Sequence, residues 1–190
     1  MLAGDELAPS DPEVLRATGF LGRNWFKFNR NVWLENTVEH TGKAFLALTF
    51  NCAKCHEHKF DPFEQVDFFH LRAFFEPYQV RTDRVPGQAD VTRDGVSRVF
   101  DENLQAPTYV FARGNEAEPL KDQPIAPAVP AFLGGERLQI QAVALPVPSF
   151  YPSLQPQVVD ESLAAARAHV QQAEAAVNQA TLRVETLRRE

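Results

Sequence analysis

The chain is poor in sulfur: it has one methionine and two cysteines among 190 residues. The methionine is Met1, at the very start, so the body of the chain offers no thioether ligand for a metal or cofactor. The cysteines are Cys52 and Cys55, separated by two residues, and they allow at most one disulfide within the chain. Any chemistry that depends on thiols is therefore confined to one short segment.

Long apolar runs and basic runs are absent as well. No run approaches the roughly 18 to 20 apolar residues that cross a bilayer. A net charge of −6 without a cluster of Lys and Arg argues against a nucleic acid or an anionic membrane surface as partner. The start of the chain lacks the basic and apolar parts of a secretory signal, so the sequence as it stands predicts a cytoplasmic protein.

Phenylalanine, in contrast, is abundant. The chain has 15 Phe, most of them within its first 111 residues, and 44% of all residues are hydrophobic. This content is enough for one domain of ordinary size with an appendage. The bulky apolar residues therefore predict a core in the N-terminal half.

Helices are predicted in that half from capping residues and apolar spacing. Ser10 or Asp11 can cap a short helix that has Pro12 at its first position. Between about 31 and 50, apolar residues recur near a 3.6-residue period that continues to Cys52. This stripe predicts one helix that delivers the cysteines.

The segment after the cysteines predicts another helix. Asp61 can cap it, Pro62 suits its first position, and Glu64 lies three residues after the cap. Pro77 ends the pattern. Large apolar residues surround this helix on nearly all sides, so we expect it to be enclosed. They are Phe63, Val66, Phe68, Phe69, Leu71, Phe74 and Phe75.

Beyond this helix the pattern favours short strands. Asp94 and Gly95 lie between two β-prone runs and predict a hairpin near 91–100, and the stretch 107–115 contains one predicted strand. The C-terminal stretch carries a narrow apolar seam with alternating spacings of three and four residues, typical of a coiled coil. The seam consists of Leu163, Ala166, Val170, Ala173, Val177, Ala180, Val184 and Leu187.

The sequence therefore predicts a mainly α fold with short β elements in three segments. A helical domain over 1–104 is followed by a proline-rich extended segment over 105–157 that packs on it, with 138–145 as a candidate edge strand. A heptad helix occupies 158–190. Because such a helix is marginal alone, it needs a partner helix along 163–187, and we expect the chain to be part of a longer protein. The alternative is a terminal helix that packs on its own domain.

The two cysteines belong to a pentad, Cys-Ala-Lys-Cys-His, that ends at His56. On a helical turn, Cys52, Cys55 and His56 share one face. Covalent attachment of a c-type haem needs this arrangement, because two thiols reach the two vinyl groups on one edge of the porphyrin and the adjacent imidazole ligates the iron. The spacing predicts one haem c, held by Cys52 and Cys55, with His56 as the proximal iron ligand.

Other interpretations of the pentad stay open. Zinc needs four donors, and Cys52, Cys55, His56 and His58 supply four, but they crowd into seven residues instead of forming two separated pairs. A thioredoxin-like pair would follow a strand, whereas a helix is predicted here. The cysteines can also be core residues or a disulfide, although chance rarely combines residues this uncommon.

Two histidines are candidates for the distal iron ligand. His70 lies in the second predicted helix, which would have to double back over the haem. His40 is far from the pentad along a continuous helix, so it can ligate only if the chain breaks at Thr41 and Gly42. Each of them can instead be an ordinary core histidine. His58 is too close to the pentad to reach the opposite face and is expected to be a propionate partner or a surface residue.

Several separated motifs occur in an order found in a known protein family. They are MLAGDELAP, ATGFLGRN, TVEHTGKAFLALTFNCAKCHEHKFDPFEQVDFFHLRAFFEPYQVRTDRVPG and PTYVFARGN followed by PAVPAFLGG. Over about residues 1–150 the chain resembles the planctomycete cytochrome C domain proteins, which are large exported proteins of mostly unknown function. The resemblance implies an exported c-type haem domain in a longer chain, with Cys52, Cys55 and His56 at the attachment motif.

The sequence departs from this family at a few positions. Phe68 and Phe69 stand where family members carry two tyrosines, and His70 stands where they usually lack a histidine, which weakens His70 as a general ligand. The stretch around His40 fits one subgroup well. The absence of a signal segment is then explained by truncation upstream of Met1.

An electron-transfer module, passing electrons to a redox partner or a neighbouring domain, is the function that the sequence favours. The alternatives are a haem or hydrolytic enzyme whose catalytic residues lie partly outside this chain, and a structural cell-surface module with a zinc or haem site. Glu39, Asp61 and Asp67 are candidate acids, but they form no paired-carboxylate or Ser/His/Asp pattern.

Overall fold

The computed structural model describes residues 1–8, 11–25, 27–135, 138–141 and 143–189. About 50% of the chain is helical, and the strands of the described part form two small two-stranded antiparallel sheets. A long helix occupies the C-terminal stretch. The predicted fold class, mainly α with short β elements, is confirmed.

The chain contains two compact units. One comprises residues 1–82 and 97–144, and the other comprises residues 83–96 and 145–190. The three segments inferred from composition, with boundaries after 104 and 157, stay predictions.

Three short helices begin the first unit: α1 (Gly4–Leu7), α2 (Pro12–Ala17) and α3 (Gly19–Gly22). Asp11 caps α2, because its carboxylate accepts hydrogen bonds from the N–H groups of Glu13 at 2.9 Å and Val14 at 3.3 Å. Of the two predicted caps, Asp11 is confirmed, and Ser10 lies outside the described residues.

Helix α4 (Arg30–Thr41) ends well before the cysteines. The next residues, Gly42–Leu46, form one wider π-helical turn, and Ala47 then adopts a left-handed φ of 55° that reverses the chain. Gly42 permits this reversal, since a Cβ at this position would lie 2.5 Å from the ring of Phe50. The predicted continuous helix is therefore wrong, because Phe50 folds back onto the end of α4.

Helix α5 (Gln65–Ala73) begins three residues later than predicted. Glu64 precedes it, and its N–H donates to Asp67 Oδ2 at 3.0 Å. Asp61, the predicted cap, lies in the preceding loop, where its N–H donates to His58 Nδ1 at 3.0 Å. The prediction that this helix is enclosed holds for Phe68 and Phe69, which are fully buried.

The four described strands are β1 (Tyr78–Asp83), β2 (Val96–Asp101), β3 (Thr108–Phe111) and β4 (Pro119–Ile125). Strand β1 pairs with β2, and β3 pairs with β4. The strand predicted within 107–115 is confirmed as β3. The hairpin predicted near 91–100 is wrong, because Val91–Asp94 form a short helix, α6, and β2 pairs with β1 instead. The described residues of the 138–145 stretch form no strand.

One apolar core lies in the first unit. Trp33 is fully buried, and its indole N–H donates to the carbonyl of Leu21 at 2.8 Å. The buried members of this core are Leu21, Trp33, Leu34, Val38, Phe50, Ala53, Phe63, Phe68, Phe69, Phe75, Val99 and Phe111. They confirm that the bulky residues of the N-terminal half form the core.

A buried ion pair joins the elements around this core. The Glu76 carboxylate pairs with Arg72 at 3.0 Å and with Arg30 at 2.7 Å, and it accepts a hydrogen bond from the Thr108 hydroxyl at 3.1 Å. Burial raises the pKa of Glu76, but the charges and hydrogen bonds of Arg72 and Arg30 outweigh burial and hold the pKa below its ordinary value. Because these residues come from α4, α5 and β3, the network fixes the three elements together.

The second unit contains the short helix α7 (Val147–Phe150) and the long helix α8 (Pro156–Leu187). Helix α8 confirms the predicted C-terminal helix, and none of its residues is buried. Within the described ranges, no helix combines the length and the apolarity that a membrane span requires.

Candidate functional site

The pentad lies on a short turn of its own between α4 and α5. Residues Asn51–Lys54 form a 3₁₀ helix, and the N–H of Cys55 donates to the carbonyl of Cys52 at 3.4 Å. In this geometry, side chains three residues apart lie above one another. Both cysteines are free thiols, with Cys52 exposed and Cys55 half-buried. The two cysteines are thus three residues apart on a turn that is tighter than the predicted α-helix, with Cys55 as the residue that ends it.

A buried carboxylate holds the start of this turn. The side chain of Glu39 is 5% exposed, and its Oε2 accepts hydrogen bonds from the N–H groups of Phe50 at 2.7 Å and Asn51 at 2.9 Å. Its Oε1 pairs with Lys43 at 2.7 Å. The first N–H groups of a helical turn have no partner within the turn, so a carboxylate there satisfies them. Glu39 therefore fixes the position at which the turn begins, directly before Cys52.

The end of the turn is held from α5 and α4. The side-chain amide of Gln65 donates to the carbonyl of Lys54 at 2.9 Å and to the carbonyl of Phe111 at 3.0 Å. The Lys54 ammonium pairs with Glu35 at 2.8 Å. The turn is therefore tied to two helices and to the end of strand β3.

The connection between β3 and β4 covers Cys55. Arg113 and Gly114 both have positive φ, of 52° and 75°. The backbone of Gly114 packs so closely against the Cys55 sulfur that a Cβ at this position would overlap it. Glycine is therefore required for two reasons, its left-handed backbone and the approach of the thiol. Gly114 sets the space that is available to the Cys55 side chain.

His56 is exposed, and a local hydrogen bond sets its ring. Its Nδ1 lies 2.6 Å from the carbonyl oxygen of Glu57. A carbonyl only accepts hydrogen bonds, so Nδ1 carries a proton, and in the neutral ring Nε2 is then the nitrogen with the lone pair. Metal-bound histidines commonly show this arrangement, in which one ring nitrogen donates to a carbonyl while the other binds the metal. The chemistry of His56 therefore fits that of a proximal ligand.

His58 anchors the loop that follows. Its side chain is 9% exposed, and its ring packs against Phe63 with the ring centroids 4.6 Å apart. A carboxylate oxygen of Asp61 lies 3.1 Å from Nδ1, but the N–H groups of Phe60 and Asp61 also point at this nitrogen. Because Nδ1 accepts these backbone hydrogen bonds, a neutral ring fits better than an ion pair. His58 is therefore largely buried, unlike the surface residue expected as one of its two roles.

The two candidate distal histidines lie in different surroundings. His40 is exposed in the last turn of α4, next to Glu39, whose carboxylate reaches Asn51. The chain reversal thus brings the end of α4 to the pentad turn, which a continuous helix would not do. His70 lies on α5, and its Nδ1 donates to the carbonyl of Ala126 at 2.7 Å. Both assignments stay predictions.

The candidate acids take part in hydrogen bonds and ion pairs within the fold. The part of the chain that the structure describes contains no group of three or more His, Cys, Asp or Glu residues placed to hold one metal ion. The candidate acids Glu39 and Asp61 lie in the contacts described above, and Asp67 accepts from the N–H groups of Glu64 and Ala131. Each of these carboxyl residues has a structural role.

Sequence reasoning missed three residues that hold the pentad: Glu35, Gln65 and Gly114. It also regarded Glu39 as a candidate acid and not as a support. Glu35 and Glu39 lie four residues apart on one helix face, and this spacing was the available signal for a shared role. Gln65 and Gly114 carry no local signal, because their partners are distant in sequence.

Comparison with known proteins finds a family match for part of the chain. No curated protein and no solved structure matches the chain. Residues 1–80 match the model of the family PSCyt2, described as a protein of unknown function (DUF1549). This segment includes the pentad, α4 and α5. Over residues 1–80 the chain therefore matches the planctomycete cytochrome C family domain, and the resemblance seen in the sequence is confirmed for this segment.

Proposed function

We propose that the segment around the pentad is a c-type cytochrome module that binds one haem covalently and transfers electrons. One observation carries the proposal: two free thiols lie three residues apart at a 3₁₀ turn, directly before an exposed His56 whose Nδ1 lies 2.6 Å from a backbone carbonyl oxygen. The donor set fits a haem c better than zinc, because haem attachment needs two sulfurs and one nitrogen from the chain. The family match over residues 1–80 supports the proposal.

Each residue has a separate task in this proposal. Cys52 and Cys55 would hold the haem through thioether bonds to its two vinyl groups, each formed by addition of a thiol across a double bond with no atom lost. His56 would hold the iron through Nε2, with its Nδ1 bonded to a backbone carbonyl. Glu39 and Gln65 keep the turn in position. The bound haem supplies the one-electron iron couple that amino-acid side chains lack.

The proposal includes a location and a partner. Cytoplasmic thiols stay reduced, whereas haem c is attached after export, so we place the mature protein in the periplasm or at the cell surface as part of a longer chain. Its electrons pass to a redox protein or to a neighbouring domain of that chain. From its charge and its apolar runs, the sequence predicts no nucleic-acid partner and no membrane span within this chain.

Absorption and mass measurements test haem binding. The chain is secreted in a host that attaches haem c, and its pyridine haemochrome spectrum and intact mass are recorded after denaturation. We expect one haem that survives denaturation, with a mass equal to the protein plus one complete haem, since thiol addition conserves atoms. A colourless product of apoprotein mass from this host would contradict the proposal. Stoichiometric zinc would instead indicate a metal-stabilised structural module.

Variants at the pentad sharpen this test. Cys52→Ser and Cys55→Ser should each leave one thioether, and the double variant should lose covalent haem. His56→Ala should shift the visible spectrum by removing the proximal nitrogen. His169→Ala, on the exposed surface of α8, is the matched control and should change neither mass nor spectrum.

Carbon monoxide distinguishes the distal ligands. We favour His40, because its neighbour Glu39 reaches the pentad turn. His40→Ala should then speed carbon monoxide binding by the reduced protein, and His70→Ala should not. The opposite pattern would assign His70, and fast binding by the unmodified protein would show an open position, as expected for a haem enzyme.

A further inference from the structure

The apolar seam of α8 is uncovered along its length. Taking Leu163 as heptad position a, the seam residues are Leu163, Val170, Val177 and Val184 at a, and Ala166, Ala173, Ala180 and Leu187 at d. The larger members are between 48% and 64% exposed. Helices in proteins gain most of their stability by packing such a face against a partner.

The anchoring contacts of α8 within its own unit lie on another side of the helix. The Glu161 carboxylate accepts a hydrogen bond from the N–H of Gly87 at 2.6 Å and pairs with Arg84 at 2.7 Å. In the heptad that has Leu163 at a, Glu161 occupies f, which faces away from the seam. The unit therefore fixes the start of α8 and leaves the seam available.

The sizes of the seam residues are complementary in one arrangement of two copies. When two α8 helices run antiparallel about the middle of the seam, Leu163 meets Leu187 of the second copy. Each pair of facing seam residues between these ends then contains one valine and one alanine, so these inner layers are equal in volume. When the helices run parallel, valines meet valines and alanines meet alanines, which alternates crowded layers with empty ones.

The charges beside the seam favour the same arrangement. Asp160, at position e, and Arg188, at the last e position, face each other in the antiparallel pair. In a parallel pair, Arg188 would face Arg183 of the second copy. Two contacts do not favour the antiparallel pair: the two copies of Glu174 approach each other near the centre, and His169 faces Arg183 of the second copy.

We propose that α8 is a self-association element, through which two copies of this chain pair along residues 163–187 as an antiparallel two-helix coil. The occupant of the seam is thus a second copy of the same helix. Because the seam is narrow and rich in alanine, it buries little surface, and the dimer is a weak one that depends on protein concentration. The pairing is independent of haem binding.

Sedimentation equilibrium of the full chain, from micromolar to millimolar concentration, tests the proposal. We expect a monomer–dimer equilibrium. Asp160→Arg should weaken the dimer roughly tenfold, because two attractive contacts become repulsive, and adding Arg188→Asp should restore it. Glu174→Gln should tighten the dimer. Val177→Asp should abolish it, whereas Leu182→Asp, at exposed position f, is the matched control and should leave it unchanged.

Each other outcome overturns the proposal. A monomer at all concentrations would exclude the second copy and leave the seam to a different helix. A dimer that resists Val177→Asp would use another surface. A dimer that Glu174→Gln weakens, and that the double charge swap fails to restore, would be parallel, since His169 faces Glu174 in that orientation. Helix content from circular dichroism shows that a lost dimer is not a lost fold.

Discussion

The pentad turn and helix α8 differ in what holds them in place. The turn comprises residues Asn51–Lys54 and is too short to be stable alone, yet the side chains of Glu39 and Gln65 bind both its ends. Helix α8 spans 32 residues, and none of them is buried. The turn is thus held by side chains from other elements of its unit, whereas the apolar seam of α8 is left uncovered in the part of the chain that the structure describes. Changes at a distance should therefore disturb the turn far more than the helix.

The largest effect is expected at Glu76, whose ion pairs fix the elements around the turn. Glu76→Gln leaves Arg72, with a side chain only 2% exposed, without its charged partner. Removing one partner of a buried pair lowers the free energy of unfolding by about 3 kcal/mol. Urea unfolding measures this loss. Glu13→Gln, which breaks the exposed pair with Arg16, should lower the free energy of unfolding by less than about 0.5 kcal/mol. Equal losses for the two variants would show that the buried pair is worth no more than the exposed one.

The same carboxylate gives the first unit a dependence on acid. The pKa of Glu76 lies below its ordinary value in the folded protein and returns to its ordinary value, 4.5, in the unfolded chain. Its contribution to stability is therefore complete above the unfolded pKa and is lost as the pH falls through the folded pKa. Urea midpoints should decline more steeply below about pH 4 for the unmodified protein than for Glu76→Gln. Equal slopes would show that the carboxylate is not held ionised by its arginines.

A smaller effect is expected at Glu39, which acts on the turn itself. Glu39→Leu leaves the N–H groups of Phe50 and Asn51 without an acceptor, at a cost of about 2 kcal/mol in the free energy of unfolding. Amide hydrogen exchange should accelerate at Asn51 and Cys52. Glu39→Gln keeps an accepting oxygen and should restore most of the protection. If leucine and glutamine behave alike, charge and not the hydrogen bonds holds the turn.

Gly114→Ala should cost about 1.5 kcal/mol, through its positive φ and through contact with the Cys55 sulfur. Gly87→Ala is a matched control, because Gly87 has nearly the same φ, 77°, but open space around the new Cβ. Only the change at Gly114 should alter the rate at which Cys55 reacts with a thiol reagent. Unchanged reactivity would show that the thiol does not depend on this glycine.

The smallest effect is expected at Glu161, which anchors α8. Its pair with Arg84 is partly exposed, so Glu161→Gln should lower the free energy of unfolding by less than about 0.5 kcal/mol and leave the helix content unchanged. Thermal unfolding followed by circular dichroism measures both quantities. A loss as large as that at Glu76 would mean that α8 also depends on contacts within its own unit, and the contrast between the two regions would fail.

The features that could be predicted from the sequence are those with local signals. The heptad seam predicted α8, and a proline after Asp11 predicted the start of α2. The predictions failed where a distant group competed with a local rule. The apolar stripe suits a helix up to the cysteines, but the packing of Phe50 on Gly42 reverses the chain. Asp61 satisfies the rules for a helix cap, but His58 binds its N–H.

The residues of the candidate site also divide into those with a local signal in the sequence and those without one. Residue type and spacing were enough to propose Cys52, Cys55 and His56 as a haem site, which stays a prediction. They gave no sign of Gln65 or Gly114, because an amide that joins two carbonyls and a glycine that covers a thiol are recognisable only once the chain is folded.

The bridge formed by Gln65 has a consequence for engineering. A synthetic peptide of residues 51–62 would contain both thiols, the imidazole and the Glu57 carbonyl beside it, but it would lack Glu39, Gln65 and Gly114, which hold the turn from outside. Grafting this twelve-residue motif into another scaffold would transfer its chemistry without its shape. A working transplant needs counterparts of Glu39, Gln65 and Gly114, supplied by three separate parts of the host.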